Sequence, residues 1–312
     1  MRYIVTGGSG FVGSHLVESL SSHDHEVIVV DKLTNHLSTH FLPKKKNVIH
    51  YFADMSIPGV MTKIIAKNDV VIHLAAQSHV DVSFKDPHLT ISNNVISTHN
   101  LLEASLKNNA SKVMIMSTDE VYGPKSEIDD DKSLDPTNPY SASKAAADMI
   151  VNSYLHMHKD LNINILRSNN IAGPRQFIRN IIPRFSCLGI LGKKMILHGD
   201  GSSRRRYLWV QDAVSAINLI VEKGISGEIY NIGHQQDFSN LEIAEKIGEH
   251  LGLSDFIGFE KDRIFNDPIY PCSSEKIEKD LGWAATKNID DFLPQTIQWY
   301  RENIGFYKPF LM

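Results

Sequence analysis

Cysteine is scarce in this chain: Cys187 and Cys272 are the only two among 312 residues and form no CxxC pair. Neither a disulfide framework nor a thiolate metal site is expected, and a reducing compartment fits. An excess of one charge is also missing. Lys and Arg number 32 against 36 Asp and Glu, a formal net charge of −4. The runs Lys44-Lys45-Lys46 and Arg204-Arg205-Arg206 are too short to make a nucleic-acid surface. No apolar run approaches the roughly 20 residues that span a bilayer, and no charged segment plus apolar h-region precedes the first motif. The expectation is a cytoplasmic protein with neither membrane nor nucleic-acid partner. Fifteen histidines are present, yet His23/His25 and His156/His158 sit on polar stretches without a carboxylate or cysteine at ligand spacing, so no metal site is expected.

What is there suits a large globular enzyme. At 42% hydrophobic and 22% charged residues over 312 positions, the chain can bury a sizeable core, and its length favours two unequal lobes. Met1 to Thr6 reads as a buried strand, a helical pattern follows over Ser14 to Ser21, and Glu26 to Asp31 is a second apolar strand, which makes one βαβ unit. Further apolar runs at Val48 to Phe52, Val70 to Leu74, Val113 to Ser117 and Ile163 to Arg167 alternate with helical stretches near Pro58 to Lys67, Leu89 to Asn108 and Tyr140 to His158. Such alternation predicts an α/β fold, a doubly wound parallel sheet of the Rossmann type covered on both faces. After Gly173-Pro174 the pattern turns irregular, with a helix-like Phe177 to Leu191, a return at Trp209 to Val221 and Glu228 to Ile232, and then Asn240 to Leu251 and Asn288 to Ile304. This predicts a dinucleotide-binding domain of residues 1–170 plus about 206–232, and a smaller, discontinuous C-terminal substrate lobe of about 171–205 plus 233–312. Asp129-Asp130-Asp131 reads as a solvated loop.

Gly7, Gly10 and Gly13 lie between the first strand and its helix. Small residues there allow a tight turn and close approach to a pyrophosphate, while the N–H groups of Phe11 and Val12 open the helix toward it. Asp31, at the end of the second strand, can accept both adenosine ribose hydroxyls, which favours NAD; adjacent Lys32 can instead meet a 2′-phosphate, which keeps NADP open. Asp54 and Met55 after the third strand, with Leu74, Ala75 and Ala76 after the fourth, stand at the carboxyl edge where such sheets hold ligands. Tyr140 and Lys144 are four apart on a helix introduced by Asn138-Pro139 and share a face. A nearby ammonium stabilises a phenolate, so the pair can take a hydroxyl proton while hydride leaves the same carbon. Ser117-Thr118-Asp119-Glu120 follows the strand Val113 to Met116. Two carboxyls in unlike environments provide an acid and a base, provided the strand has broken there, and Tyr122-Gly123-Pro124 is the expected break.

With these motifs the chain resembles the dTDP-glucose 4,6-dehydratase family of nucleotide-sugar enzymes. The likeness runs through GGSGFVGS (Gly7 to Ser14), DKLT (Asp31 to Thr34), HLAAQSHVDVS (His73 to Ser83), STDEVYG (Ser117 to Gly123), YSASKAAAD (Tyr140 to Asp148), GDGSSRRRYLWVQDA (Gly199 to Ala213) and YNIG (Tyr230 to Gly233). It implies that Tyr140 takes the sugar 4-hydroxyl proton, that Lys144 holds the charge and that Ser117 or Thr118 hydrogen-bonds the oxygen. Glu120 would take the C5 proton and Asp119 would protonate the departing 6-hydroxyl. Ser78, His79, Asn170, Arg205, Asn231 and Arg263 are the implied substrate contacts, and a homodimer pairing two long helices per subunit is implied as well. Family members typically carry Asn-Asn-Tyr-Gly-Pro and then Phe-Pro-Glu-Lys-Leu-Ile-Pro, where this chain has Asn170-Ile171-Ala172-Gly173-Pro174 and Phe177-Ile178-Arg179-Asn180-Ile181-Ile182-Pro183. The change in polarity and volume makes a UDP-sugar as good a candidate as a dTDP-sugar, with glucose or N-acetylglucosamine as the hexose. Retention or inversion at C5 stays open. The competing readings are a UDP-sugar 4-epimerase or decarboxylase, against which Asp119 argues, and a non-catalytic cofactor-binding regulator.

Overall fold

The computed structural model describes residues 1–34, 40–124, 133–261 and 273–311. Arg263, Asp129-Asp130-Asp131 and Cys272 lie outside the described residues.

A seven-stranded sheet forms the centre of the larger lobe. In chain order its strands are β1 (Arg2–Thr6), β2 (Glu26–Asp31), β3 (Val48–Phe52), β4 (Val70–His73), β5 (Lys112–Thr118) and β6 (Ile163–Ser168), and a late strand, Ile229–Ile232, completes it beside β6. All its pairings are parallel. The order, from the late strand through β6, β5, β4, β1 and β2 to β3, reverses direction between β1 and β4. Loops leave the carboxyl edge in opposite directions there, which opens a crevice for a ligand. Both faces are apolar because both are covered. One side carries Val5, Val27, Val29 and Ile72 in a cluster with Leu16, Val17 and Ile217; the other carries Ile4, Ile28, Val71 and Ile115 with Leu101, Leu102 and Val151.

The helices of this lobe are α1 (Phe11–Ser22), α2 (Val80–Lys85), α3 (Pro87–Ile91), α4 (Ser97–Lys107) and α5 (Pro139–Met157). A π-helical turn at Ser92–Ile96 joins α3 to α4, so the stretch expected from Leu89 is one nearly continuous rod. Helix α5 starts on a capping box in which Asn138 Oδ1 accepts from Ser141 N and Ser141 Oγ takes the Asn138 N–H, with Pro139 in the first turn. The helix expected over Pro58 to Lys67 is absent. Only a single 3-10 turn forms, at Met61–Lys63, because the apolar spacing of Met61, Ile64 and Ile65 is met by packing into the core without a continued hydrogen-bond ladder.

The C-terminal half adds β7 (Asn170–Ala172), α6 (Ile181–Ile190), β8 (Met195–His198), β9 (Arg204–Trp209), α7 (Val210–Lys223), β10 (Ile229–Ile232, the late strand), β11 (Asp237–Ser239), α8 (Asn240–Leu251), β12 (Ile257–Glu260), α9 (Glu275–Leu281) and α10 (Ile289–Glu302). Strands β11, β9 and β7 form a small sheet, and β12 pairs with β8. Their core gathers Phe185, Trp209, Ile243, Ile247 and Phe292, with Trp209 stacked on Phe292. Helix α7 packs instead with the larger lobe through Ala213, Ile217 and Ile220.

Candidate active site

The turn after β1 is built so that only glycine fits two of its positions. Gly7 has φ +65°, and a Cβ there would lie 2.7 Å from Ala75 N, in the loop after β4; a Cβ on Gly13 would lie 2.2 Å from Gly7 O. The N-terminus of α1 follows Gly10 with no side-chain cap, leaving its first N–H groups for an anion. The Ser9 hydroxyl is buried without a hydrogen-bond partner among the described residues. At the end of β2, Asp31 accepts from Ser9 N (3.1 Å) and Leu33 N (2.8 Å), and burial raises its pKa. Lys32 turns away from this pocket, donating to Asn93 Oδ1 (2.5 Å) and Asp54 Oδ2 (3.3 Å). Asp54 also accepts from the Ser56 N–H and hydroxyl. Met55 points its side chain into the core. Leu74 and Ala75 are partly buried and Ala76 is exposed at the mouth of the crevice. An orphaned hydroxyl, a cradle that any Cβ would fill and a half-buried acid at the strand end fit a dinucleotide.

Strand β5 stops at Thr118, earlier than the Tyr122-Gly123-Pro124 break expected from sequence. A 3-10 turn over Asp119–Tyr122 takes over, with Thr118 Oγ1 accepting from Glu120 N (3.3 Å). This turn frees Asp119 and Glu120 from strand alternation. The Thr118 hydroxyl is close enough to the Tyr140 phenol to favour its ionised form and donates to Asp119 Oδ1 at 3.3 Å. Ser117 is a correction. Its side chain points to the opposite face, where it donates to Asp148 Oδ2 at 3.0 Å, so of the two hydroxyls only that of Thr118 meets the phenol.

Asp119 is buried, and Asn169 Nδ2 donates to its Oδ2 at 2.9 Å. Burial, reinforced by the charge of Glu120, pushes the carboxyl up to about 7 against the opposing hydrogen bond from Asn169. Glu120 is less buried and accepts from Asn138 Nδ2 at 3.3 Å. Tyr140 is buried in α5, and burial followed by the charge of Glu120 raises its phenol above the ordinary range. Lys144, one turn on, donates to Met116 O at 2.5 Å, and burial lowers its pKa while Asp148 opposes that fall. Two carboxyls and a phenol thus share one water-poor corner, where electrostatic coupling is strong.

Behind this corner runs a network that sequence reasoning missed. Arg167, almost wholly buried on β6, donates from Nε to Asp148 Oδ2 (2.9 Å) and from Nη1 to Tyr122 OH (2.8 Å), with its guanidinium over the Tyr122 ring. Tyr122 OH in turn donates to Asn231 Oδ1 at 2.8 Å, so Asn231 is tied into this support. Two signals were available: a charged residue inside the apolar run INILRS needs a buried partner, and Asp148 repeats the Tyr140–Lys144 spacing one turn further on. Arg205, on β9, is close enough to Asp119 to act on its charge, and Asn170 opens β7 in register with Tyr207. His79 lies just before α2 at the end of the loop from β4, largely out of water and held down to about 4 by burial and then by the charge of Arg179. Ser78 beside it is exposed.

The sequence profile of the NAD dependent epimerase/dehydratase family matches residues 3–233. The chain belongs to that family. Among its members, a dTDP-D-glucose 4,6-dehydratase of Dictyostelium discoideum is 34% identical, with 98% of this chain and 83% of that protein covered. A trifunctional UDP-glucose 4,6-dehydratase/UDP-4-keto-6-deoxy-D-glucose 3,5-epimerase/UDP-4-keto-L-rhamnose-reductase of Arabidopsis thaliana is 35% identical over 96% of this chain and 47% of that protein. In structure, the dTDP-glucose 4,6-dehydratase DesIV of Streptomyces venezuelae, solved with NAD bound, superposes with a TM-score of 0.92 at 33% identity and 99% coverage of both chains. For a family that also contains epimerases, the acidic pair at Asp119 and Glu120 is the informative part of the site.

Proposed function

We propose that this family member is a nucleotide-diphosphosugar 4,6-dehydratase that converts a dTDP- or UDP-linked glucose or N-acetylglucosamine to its 4-keto-6-deoxy form. The observation that carries the reading is Asp119: a buried carboxyl held near 7, beside a second carboxyl and within the field of Tyr140. An acid that keeps its proton near neutral pH is what expulsion of a poor leaving group requires.

Each group has one task. Tyr140 takes the proton of the sugar 4-hydroxyl, with the Thr118 hydroxyl favouring its ionised form and Lys144, one turn on in the same helix, as the ammonium of the pair. A bound nicotinamide would supply a hydride acceptor for C4 and a hydride donor for C6, and its positive charge in the oxidised form would favour the phenolate. With C4 a ketone, the C5 proton is acidic, and Glu120, braced by Asn138, takes it. Asp119 delivers its proton to O6, the C6–O bond breaks, and water leaves; Glu120 then returns a proton to C5. General acid catalysis of this kind is worth roughly 10²- to 10⁴-fold.

The cofactor reading is NAD over NADP. Asp31 brings a carboxylate to the ribose, while Lys32 is engaged by Asn93 and Asp54. Residues 1–170 with about 206–232 form the dinucleotide half; about 171–205 with 233–312, including Arg205, form the nucleotide-sugar half, and Asn170 lies at their junction. Phe84, Leu89, Ile91, Ile96 and Met149 are exposed apolar residues on the rod from α2 to α4 and on α5, which supports a homodimer through these helices. Cytoplasmic location goes with a nucleotide-sugar substrate.

The test is incubation with each nucleotide sugar followed by mass spectrometry. Loss of one water supports the reading; loss of carbon dioxide, an unchanged mass with an inverted C4, or no reaction with any of them overturns it.

A further inference from the structure

Asn169 sits between β6 and β7, where it is buried, and its side chain is oriented at both ends. Its Oδ1 accepts the His234 N–H at 3.0 Å, which fixes which end of the amide is oxygen, so that Nδ2 faces Asp119 Oδ2 at 2.9 Å. Room for this carboxamide comes from Gly233, since a Cβ there would lie 1.8 Å from Asn169 Oδ1. Thr118 Oγ1 donates to Oδ1 at 3.3 Å, but a hydroxyl can turn to accept whereas an amide N–H cannot, so the proton of a neutral Asp119 belongs on Oδ1 with Thr118 Oγ1 as its acceptor.

We propose that Asn169, seated by His234 N–H and Gly233, is the positioning residue for the general acid: it fixes which oxygen of Asp119 carries the proton and limits how tightly that proton is held. The inference rests on the dehydratase reading for its catalytic consequence, and on geometry alone for its effect on Asp119. The groups acting on Asp119 are Thr118 and Glu120 from its own turn, Tyr140 from α5, Arg205 from β9 and Asn169. Of these, Asn169, Thr118 and Arg205 favour the ionised carboxylate, and the hydrogen bond from Asn169 is the largest of the three effects. Its loss therefore moves the proton affinity upward.

The test uses the NAD-loaded protein and two variants. Asn169→Leu removes the donor and excludes water; Asn169→Asp keeps an acceptor for His234 N–H but sets a carboxyl against Asp119. Carbon-13 NMR of labelled aspartate, with the Asp119 signal assigned through Asp119→Asn, reads the proton affinity without any turnover. Both variants are expected to raise the Asp119 midpoint by about one pH unit or more, the size of a lost charge-assisted hydrogen bond. With a substrate that the wild type dehydrates, they are expected to slow water loss at least tenfold while C5 exchange with solvent deuterium continues, and to carry the alkaline limb of kcat upward with the midpoint. An unmoved midpoint in either folded variant overturns the inference. If the wild type dehydrates no nucleotide sugar, the functional reading fails while a shifted midpoint still upholds the role of Asn169 toward Asp119. A purely structural role would lower Tm and reduce exchange and dehydration together, with both pH readings unchanged.

Discussion

Asp119→Asn should make the protein more stable at pH 8 and no more stable at pH 4. Burial moves this carboxyl from an ordinary 3.8 to about 7, which means the fold prefers its neutral form. Below about pH 4 the side chain is protonated in the folded and unfolded chains alike, and the neutral asparagine gains nothing. Between about 4 and 7 the unfolded chain ionises Asp119 while the folded one keeps its proton, so wild-type stability falls relative to the variant as pH rises. Above 7 the gap is constant. At roughly 1.4 kcal/mol for each pH unit its upper bound is about 4 kcal/mol. The unfolding entropy of a chain this long is on the order of 0.65 kcal/mol/K, so that gap corresponds to about 6 °C in Tm. Asparagine can present its oxygen to Asn169 Nδ2 and so keep the existing hydrogen bond. Thermal unfolding of the NAD-loaded protein across this pH range is the assay. An equal Tm difference at pH 4 and pH 8 would show that Asp119 is not held neutral by the fold, and the acid role would lose its physical basis.

Three further outcomes follow from the geometry. Gly13→Ala should abolish NAD binding by calorimetry, because a methyl 2.2 Å from Gly7 O forces the phosphate turn open; retained affinity would contradict the cradle. Asp31→Ala should weaken NAD roughly 10- to 100-fold, the size of a charged hydrogen bond, while Lys32→Ala should change the NAD-to-NADP preference little, since Lys32 is committed to Asn93 and Asp54. Ile91→Glu combined with Met149→Glu should yield monomers by light scattering, and a persistent dimer would place the interface elsewhere.

Apolar strands could be read from the sequence whether they are buried on both faces, as in Glu26–Asp31, or stand at the sheet edge with Ile49, Tyr51 and Phe52 exposed, as in Val48–Phe52. Glu26–Asp31 and Val48–Phe52 were readable to the residue, since a run of β-branched and aromatic side chains bounded by polar residues leaves few alternatives. Strand β9 escaped notice because it begins with three arginines, with Arg204 paired to Asp237 and Glu242 on the small sheet. The stretch from Pro58 misled because helical spacing of Met61, Ile64 and Ile65 requires only that they face the core. At the site, Thr118, Asp119, Glu120, Tyr140 and Lys144 were legible as motifs, and the first four lie near enough to act on one another, while Lys144 reaches Met116 O. Period-two alternation would have separated Ser117 from Thr118. Asn169 was not legible, because its partners Asp119 and His234 are 50 and 65 positions away in the chain and no local spacing rule joins them.

The central claim is an internal oxidation and reduction coupled to loss of water, and one isotope experiment addresses it directly. A nucleotide hexose carrying deuterium at C4 should give a 4-keto product whose deuterium sits in the C6 methyl group, seen by NMR. Deuterium recovered at C4 of an inverted sugar, or absent from the C6 methyl of a dehydrated product, would contradict the account.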